Sequence, residues 1–209
     1  MIIKMKSLVK RCLAFCITLI VAQTLMAQSA TSILDKTAAK FKAAGGVKAS
    51  FTMDAGSGPS SGTIKLQGNK FTIDIGGEYV VWFDGKDMWS YLKNNDEVNI
   101  TNPTPSEIAK MNPYAFVNLY KKGYVVKMGK STAKYYEVTL KAKDKSSSLQ
   151  NVVLHINKVN NQPIMIDMSS PKTANLIKIS SYQTNLNFDP STFVFNKKKY
   201  PSAEVIDLR

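Results

Sequence analysis

Histidine and cysteine are almost missing from this chain of 209 residues. The single histidine, His155, sits in NVVLHIN, where Val152, Leu154 and Ile156 form the apolar side of a strand. Alternation points His155 the other way, toward solvent or a polar neighbour. A Ser–His–Asp hydrolase would depend on that one residue. A zinc centre needs a cluster of His or Cys ligands, and the sequence has none. The glycines of GSGPSSG link two strands instead of opening a helix, so they do not form a dinucleotide fingerprint, and there is no P-loop. Two pairs of acids remain for acid–base work, Asp84 with Asp87 and Asp96 with Glu97. Both lie at turns, where acids are common for Asx-turn and solubility reasons. Asn99-Ile100-Thr101 is a formal glycosylation sequon of little weight. The chain is short of reactive groups, which favours binding over turnover.

Both cysteines, Cys12 and Cys16, fall in an apolar stretch from Cys12 to Met26 that follows Lys4, Lys6, Lys10 and Arg11. This is the layout of a secretory signal peptide, expected over residues 1–27 with cleavage after Ala27, or nearer Ala30. A single membrane anchor is the alternative, but the stretch is short of the ~20 residues a span needs. Arg11 and Phe15 precede the cysteines, so neither fits a lipoprotein cleavage box, and a released, periplasmic product is expected. Its remaining part, 28–209, reads as a single domain with no disulfide available.

Acids are also scarce: 28 Lys and Arg stand against 15 Asp and Glu, a net charge of +13. The leader holds four cations and no acid, which leaves 24 cations against 15 acids, or +9. The lysines are scattered, with one tight run at Lys197–Lys199. A solvated basic surface is the plain reading. Export argues against nucleic acid as partner.

What is abundant is strand pattern. Residues 29–44 first give a helix with Ile33, Leu34, Thr37, Ala38 and Phe41 on one stripe, Ser32 as the expected cap with Asp35 three places on, and Gly45-Gly46 as the stop. The period then changes to two. Val47, Ala49, Phe51 and Met53 alternate with polar residues, as do Ile64 and Leu66, then Phe71, Ile73 and Ile75, whereas Tyr79, Val81 and Phe83 oppose Val80 and Trp82. Turns are expected at Gly68-Asn69, Gly76-Gly77, Asp84-Gly85 and Asn160-Asn161. Thr104, Pro105 and Glu107 form a capping box for a short helix. Pro113 ends it, and Phe116, Val117 and Tyr120 form a second helical stripe up to Gly123. Strands resume at 124–128, 134–142, 152–157, 164–168 and 175–182, with extended pieces at 193–195 and 203–208. Ten or eleven sequential antiparallel strands, with one helix in front and a helical insertion midway, indicate an α+β, mostly β chain. Its sheet would be strongly curved, and the inserted helices would cover it.

The richest segment is YVVWFDGKDMWSYLKNNDEVNIT. Its aromatics suit either a filled core or the wall of an apolar cavity, and periodicity alone does not separate the two. VKASFT, GTIKLQGNKFTID, WFDGKDMWSYLKNNDEVNIT and NFDPSTFVFN occur in one order after a leader. Together they resemble the periplasmic outer-membrane lipoprotein carriers, the LolA-like proteins, over most of the mature chain. DGK-x-x-W-x-Y is the most specific piece.

That resemblance implies an incomplete antiparallel β-barrel with a helical lid over a hydrophobic cavity. It implies acylated lipoproteins as cargo, an inner-membrane lipoprotein-releasing ABC transporter as donor, an outer-membrane acceptor, and no cofactor. Matching LQGNKFTID to the family places Phe71 and Ile73 on the cavity wall, with Ile64 and Leu66 in the same phase. Alternation adds Phe51, Met53, Val81, Phe83 and Trp89. The lid would carry Phe116, Val117 and Tyr120. Gln67 stands where the family has an arginine that latches the lid, so the latch would lack charge assistance. A monomer is expected. A periplasmic lipid- or lipoprotein-sensing module on the same half-barrel is the alternative, with a hydrolase and a dry scaffold as further readings.

Overall fold

The computed structural model describes residues 29–54, 58–112, 114, 120–147, 149–168 and 175–209. The expected leader lies outside them, as do Pro113, Phe116 and Val117.

Helix α1 spans Ala30–Ala43. Its cap is Ser29, not Ser32: the Ser29 hydroxyl accepts a hydrogen bond from the Ser32 amide at 3.1 Å. Ser29 is extended, as a cap must be, while Ser32 is already helical. This leaves Asp35 available for another partner. The buried stripe is Ala30, Ile33, Leu34, Thr37 and Ala38, and the Thr37 hydroxyl is satisfied by the Ile33 carbonyl.

Twelve strands form one sheet. They are β1 (Gly46–Asp54), β2 (Pro59–Gln67), β3 (Lys70–Ile75), β4 (Tyr79–Phe83), β5 (Met88–Leu92), β6 (Glu97–Thr101), β7 (Tyr124–Met128), β8 (Tyr135–Ala142), β9 (Asn151–Asn157), β10 (Pro163–Asp167), β11 (Leu176–Leu186) and β12 (Glu204–Asp207). Their order is β12-β6-β5-β4-β3-β2-β1-β11-β10-β9-β8-β7, so the sheet is curved and unclosed. The expected strand at 193–195 is replaced. Asp189 caps a 3-10 turn over Pro190–Phe193, and Phe193 is drawn into it and buried. The pairing is antiparallel throughout except for β12, which adds to β6 in parallel. Helix α2, Pro105–Met111, carries the capping box: Thr104 accepts from the Glu107 amide, and Glu107 Oε2 accepts from the Thr104 amide at 2.7 Å.

Two runs of sequential hairpins, β1–β6 and β7–β11, meet where β1 pairs with β11. Register shifts between Gly46 and Lys48 and between Ser50 and Phe51 bend this seam, as bulges do. Gly46 has no room for a side chain. A Cβ there would collide with the Leu186 carbonyl oxygen and lie 3.0 Å from Phe188 Cδ2. Gly46→Ala is therefore expected to lower stability by about 1–3 kcal/mol, read as a shift of the urea midpoint. An unchanged midpoint would show that the seam is pliable.

The sheet is covered along its inner face and, on its outer face, over β4–β6. The inner face gives one contiguous cluster with α1, running from Val47 on β1 to Ile177 on β11. The outer face of β4–β6 gives a second cluster of Val80, Trp82, Tyr91 and Val98 with Ala203, joined by Trp89, Phe195 and Tyr200. The aromatic strand β4 is thus buried on both sides, and its alternation divides its side chains between two cores.

Candidate functional site

The inner face holds most of the expected wall. Leu66 stands opposite Phe71, Phe71 opposite Phe83, and Phe83 opposite Met88. The next row is Ile64, Ile73 and Val81. Phe51 faces Gly62, and a Cβ at Gly62 would lie 2.7 Å from the Phe51 ring, so the missing side chain is what seats the phenyl. Phe51, Ile64, Leu66, Phe71, Ile73, Val81 and Phe83 are all buried, with Met53 half-buried beside them. The same cluster includes Ile33, Leu34 and Ala38 of α1 and the rings of Tyr114 and Tyr120. The wall is therefore covered by the chain's own side chains.

Its character changes toward β6. Met88 pairs with Thr101 and Ser90 with Asn99, so both apolar rows end in polar residues there. At the end of the Leu66–Phe71–Phe83–Met88 row lies a cleft of about 600 Å³, lined by Met88, Thr101, Pro103, Glu107 and Met111 together with Leu208 and Arg209. Met88 belongs both to the buried cluster and to the floor of this cleft. The cleft beside α2 thus meets the end of the wall at Met88. Arg209 closes one rim, with Nη1 2.8 Å from Asp87 Oδ2 and Nη2 2.6 Å from Asp207 Oδ2.

Two expected site residues are elsewhere. Trp89 stands opposite Trp82 and packs in the outer cluster, because alternation from Met88 turns it away from the wall. Gln67 follows inward-facing Leu66 and so points outward. Its Oε1 accepts a hydrogen bond from the Phe188 amide at 3.0 Å, tying down the C-terminal segment. It is not placed to latch anything over the inner face.

A different link is made at Tyr120. The buried ring of Tyr120 donates from its hydroxyl to Asp35 Oδ1 at 2.5 Å, and Lys121 Nζ lies 3.0 Å from the same oxygen. Hydrogen bonding by Tyr120, then by Lys121, holds the Asp35 carboxyl below its ordinary value of 3.8. Burial, then the bond to Asp35, pushes the Tyr120 phenol well above 10. The pair is thus a charge-assisted clasp between residue 120 and α1. Tyr114 is wedged nearby, stacked on Phe41 at 5.5 Å and 6.1 Å from Tyr182. Neither feature carried a local signal, since Asp35 and Tyr120 are 85 residues apart.

The acid pairs are occupied structurally. Asp84 Oδ1 accepts from the Lys86 and Asp87 amides, Asp87 binds Arg209, and Asp96 accepts from the Tyr91 hydroxyl. His155 meets Glu137 at 3.0 Å and stacks on Tyr135 on the outer face.

A family model described as outer membrane lipoprotein carrier protein LolA matches residues 20–172. The chain belongs to the LolA family. No curated protein matches it in sequence. Among solved structures it is similar to an uncharacterized conserved protein from Thermus thermophilus, with 11% identity and a TM-score of 0.58 over 85% of this chain and 98% of that one. It also resembles a LolA superfamily protein of Nitrosomonas europaea (14% identity, TM-score 0.41, 80% and 98% covered) and MucB of Pseudomonas aeruginosa in complex with MucA (9%, 0.44, 81% and 62%). The LolA fold here is the mostly β, twelve-stranded unclosed sheet with its N-terminal helix.

Proposed function

We propose that this LolA-family protein is a noncatalytic periplasmic carrier, residues 28–209 forming its one domain once the leader is removed. It takes the acyl chains of lipoproteins onto the inner apolar wall and moves them from an inner-membrane ABC transporter to an outer-membrane acceptor. One observation supports this above the others: an unbroken apolar row leads from a cleft beside α2 to buried Phe71. Each methylene brought onto that wall contributes about 0.8 kcal/mol, so several chains drive capture without a specific polar contact. Because the wall is covered by α1, Tyr114 and Tyr120, uptake requires these to move. Their displacement exposes apolar surface, which the arriving chains cover in turn.

The clasp sets how readily the wall opens. The Asp35 side chain is 48% exposed, so its bond to Tyr120 is discounted for solvent screening to about 1 kcal/mol. Tyr120→Phe is then expected to raise the open fraction about fivefold. An apolar fluorescent probe should bind about fivefold more tightly, because apparent affinity scales with the competent fraction. Unchanged affinity in a folded variant would remove the clasp from the mechanism. The pH dependence follows the carboxylate. Its folded value is depressed, so its stabilisation is fully present above the ordinary carboxylate range and is lost as pH falls through the depressed value, below 3.8. In Asp35→Asn this acid-dependent step should be missing from the probe titration.

The carrier reading is tested with inner-membrane vesicles that hold a tagged diacyl lipoprotein. Incubation with the purified protein should release the lipoprotein as a soluble one-to-one complex. A protein that binds lipid yet leaves the lipoprotein in the membrane would instead be a sensor.

A further inference from the structure

A pocket also lies on the outer face, on the side of the sheet away from the wall. In register across the sheet stand Gln183 on β11, Lys48 on β1, Lys65 on β2, Thr72 on β3 and Trp82 on β4. All point outward, since Val47, Leu66, Phe71 and Phe83 beside them belong to the inner cluster. Lys48 and Lys65 are thus a directly opposed pair of like charges, which destabilises a sheet unless something offsets it. Among the described residues neither lysine has an acidic partner.

Beside Lys65 opens a pocket of about 290 Å³. Its floor is Thr72, Asp74, Val80 and Trp82, and its roof comes from the C-terminal segment, including Ser191, Lys199 and Tyr200. Thr72 fixes that roof by donating to the Thr192 carbonyl at 2.6 Å. Lys199 has no acidic partner among the described residues either. The pocket is therefore lined by two lysines without an acidic partner and one carboxylate, with the Lys65 ammonium 6.0 Å from the Phe188 ring centroid at its edge. Lys65 faces Thr72, and Asp74 is the next outward residue of β3. That diagonal separates opposite charges by roughly 7–8 Å at the backbone. Asp74 keeps its place by accepting from the Gly77 amide at 2.8 Å. Tyr200 lies edge-on to Trp82 at 5.5 Å, and its phenol is pushed up by burial and then by the Asp74 charge, which puts aromatic surface beside the carboxylate.

A simple anion drawn to the lysines would be repelled by Asp74, and a simple cation would meet the lysines. We propose that the pocket binds a phosphoethanolamine-type zwitterion, with its phosphate against Lys65 and Lys199 and its ammonium against Asp74 and the rings of Trp82 and Tyr200. Aromatic faces attract such ammonium groups. A free small-molecule phosphoester and the headgroup of a bilayer lipid share this chemistry, and the pocket recognises both.

Calorimetric titration of the whole protein with phosphoethanolamine, inorganic phosphate and ethanolamine tests this. Phosphoethanolamine should bind at least about tenfold more tightly than either half. Asp74→Asn should abolish that advantage while phosphate binding persists. Lys65→Ala with Lys199→Ala should weaken phosphoethanolamine binding by about tenfold or more, with an unchanged melting temperature as the folding control. Equal affinities for phosphate and phosphoethanolamine, or no saturable binding, would overturn the proposal. Co-sedimentation of the protein, but not of Asp74→Asn, with phosphatidylethanolamine vesicles assigns the ligand to a membrane headgroup. Calorimetric binding without sedimentation assigns it to a free ester. Neither outcome depends on lipoprotein release, so this site and the carrier reading stand or fall separately.

Discussion

Phe71→Ala should lower the stability of the protein by about 3–5 kcal/mol. Phe71 is 0% exposed and sits between Leu66 and Phe83 in the row that leads to the cleft. Its ring centroid is 5.2 Å from that of Phe83, tilted by 36°, a geometry worth about 0.5–1.5 kcal/mol beyond simple burial. Truncation removes the transfer energy of the ring and leaves a void that ladders on both sides of β3 keep from collapsing. The cost is read from the urea midpoint at constant slope. A loss under about 1.5 kcal/mol would mean that the wall already yields, and its residues could then separate for cargo with little penalty. The same variant should change probe uptake, because the void lies on the surface proposed to receive acyl chains. If stability falls and uptake is untouched, the wall is core only, and the carrier reading loses its site.

The contrast between Phe71 and Trp89 shows what was legible in the sequence. Period-two alternation separates the two sides of β2 and β3, because each has one clearly apolar side: Ile64 and Leu66, then Phe71 and Ile73. In β5 both sides are apolar or aromatic, with Met88 on one and Trp89 and Tyr91 on the other. Nothing local says which side faces inward, and alternation alone put Trp89 on the wrong one. Gln67 failed for a related reason. A family position was read for its role, although Leu66 one residue earlier already fixed its direction as outward. The helix cap moved by three residues because Ser29 and Ser32 are chemically equivalent, and only the backbone conformation separates them. The clasp of Tyr120 on Asp35 and the fold-back of the C-terminal segment are contacts between distant stretches, which periodicity does not encode. Turn chemistry was the most readable part: Gly68, Gly76 and Gly77 all adopt the left-handed conformation their positions require.

Trp82→Ala is the matching experiment on the other face. Trp82 is 8% exposed and lies edge-on to Phe195 at 5.6 Å and to Tyr200 at 5.5 Å. Losing a buried indole costs about 3–5 kcal/mol. The lower end is expected here, because the cover is a segment of 3-10 turns that can settle into the gap, not a hydrogen-bonded strand. The consequences should be local. The stretch from Ser191 to Ala203 is held to the sheet by this cluster and by the Thr72 bond to Thr192, so limited proteolysis should cut it faster in the variant. Probe uptake on the inner wall should stay at the wild-type level, since Phe83 and Val81 point to the opposite side of the same strand. Phe71→Ala and Trp82→Ala would then cost comparable stability, and probe uptake together with cleavage of the C-terminal segment would separate them. Should Trp82→Ala impair uptake as strongly as Phe71→Ala, the two faces are coupled through β4, and the strand would be moving as a unit when the wall opens.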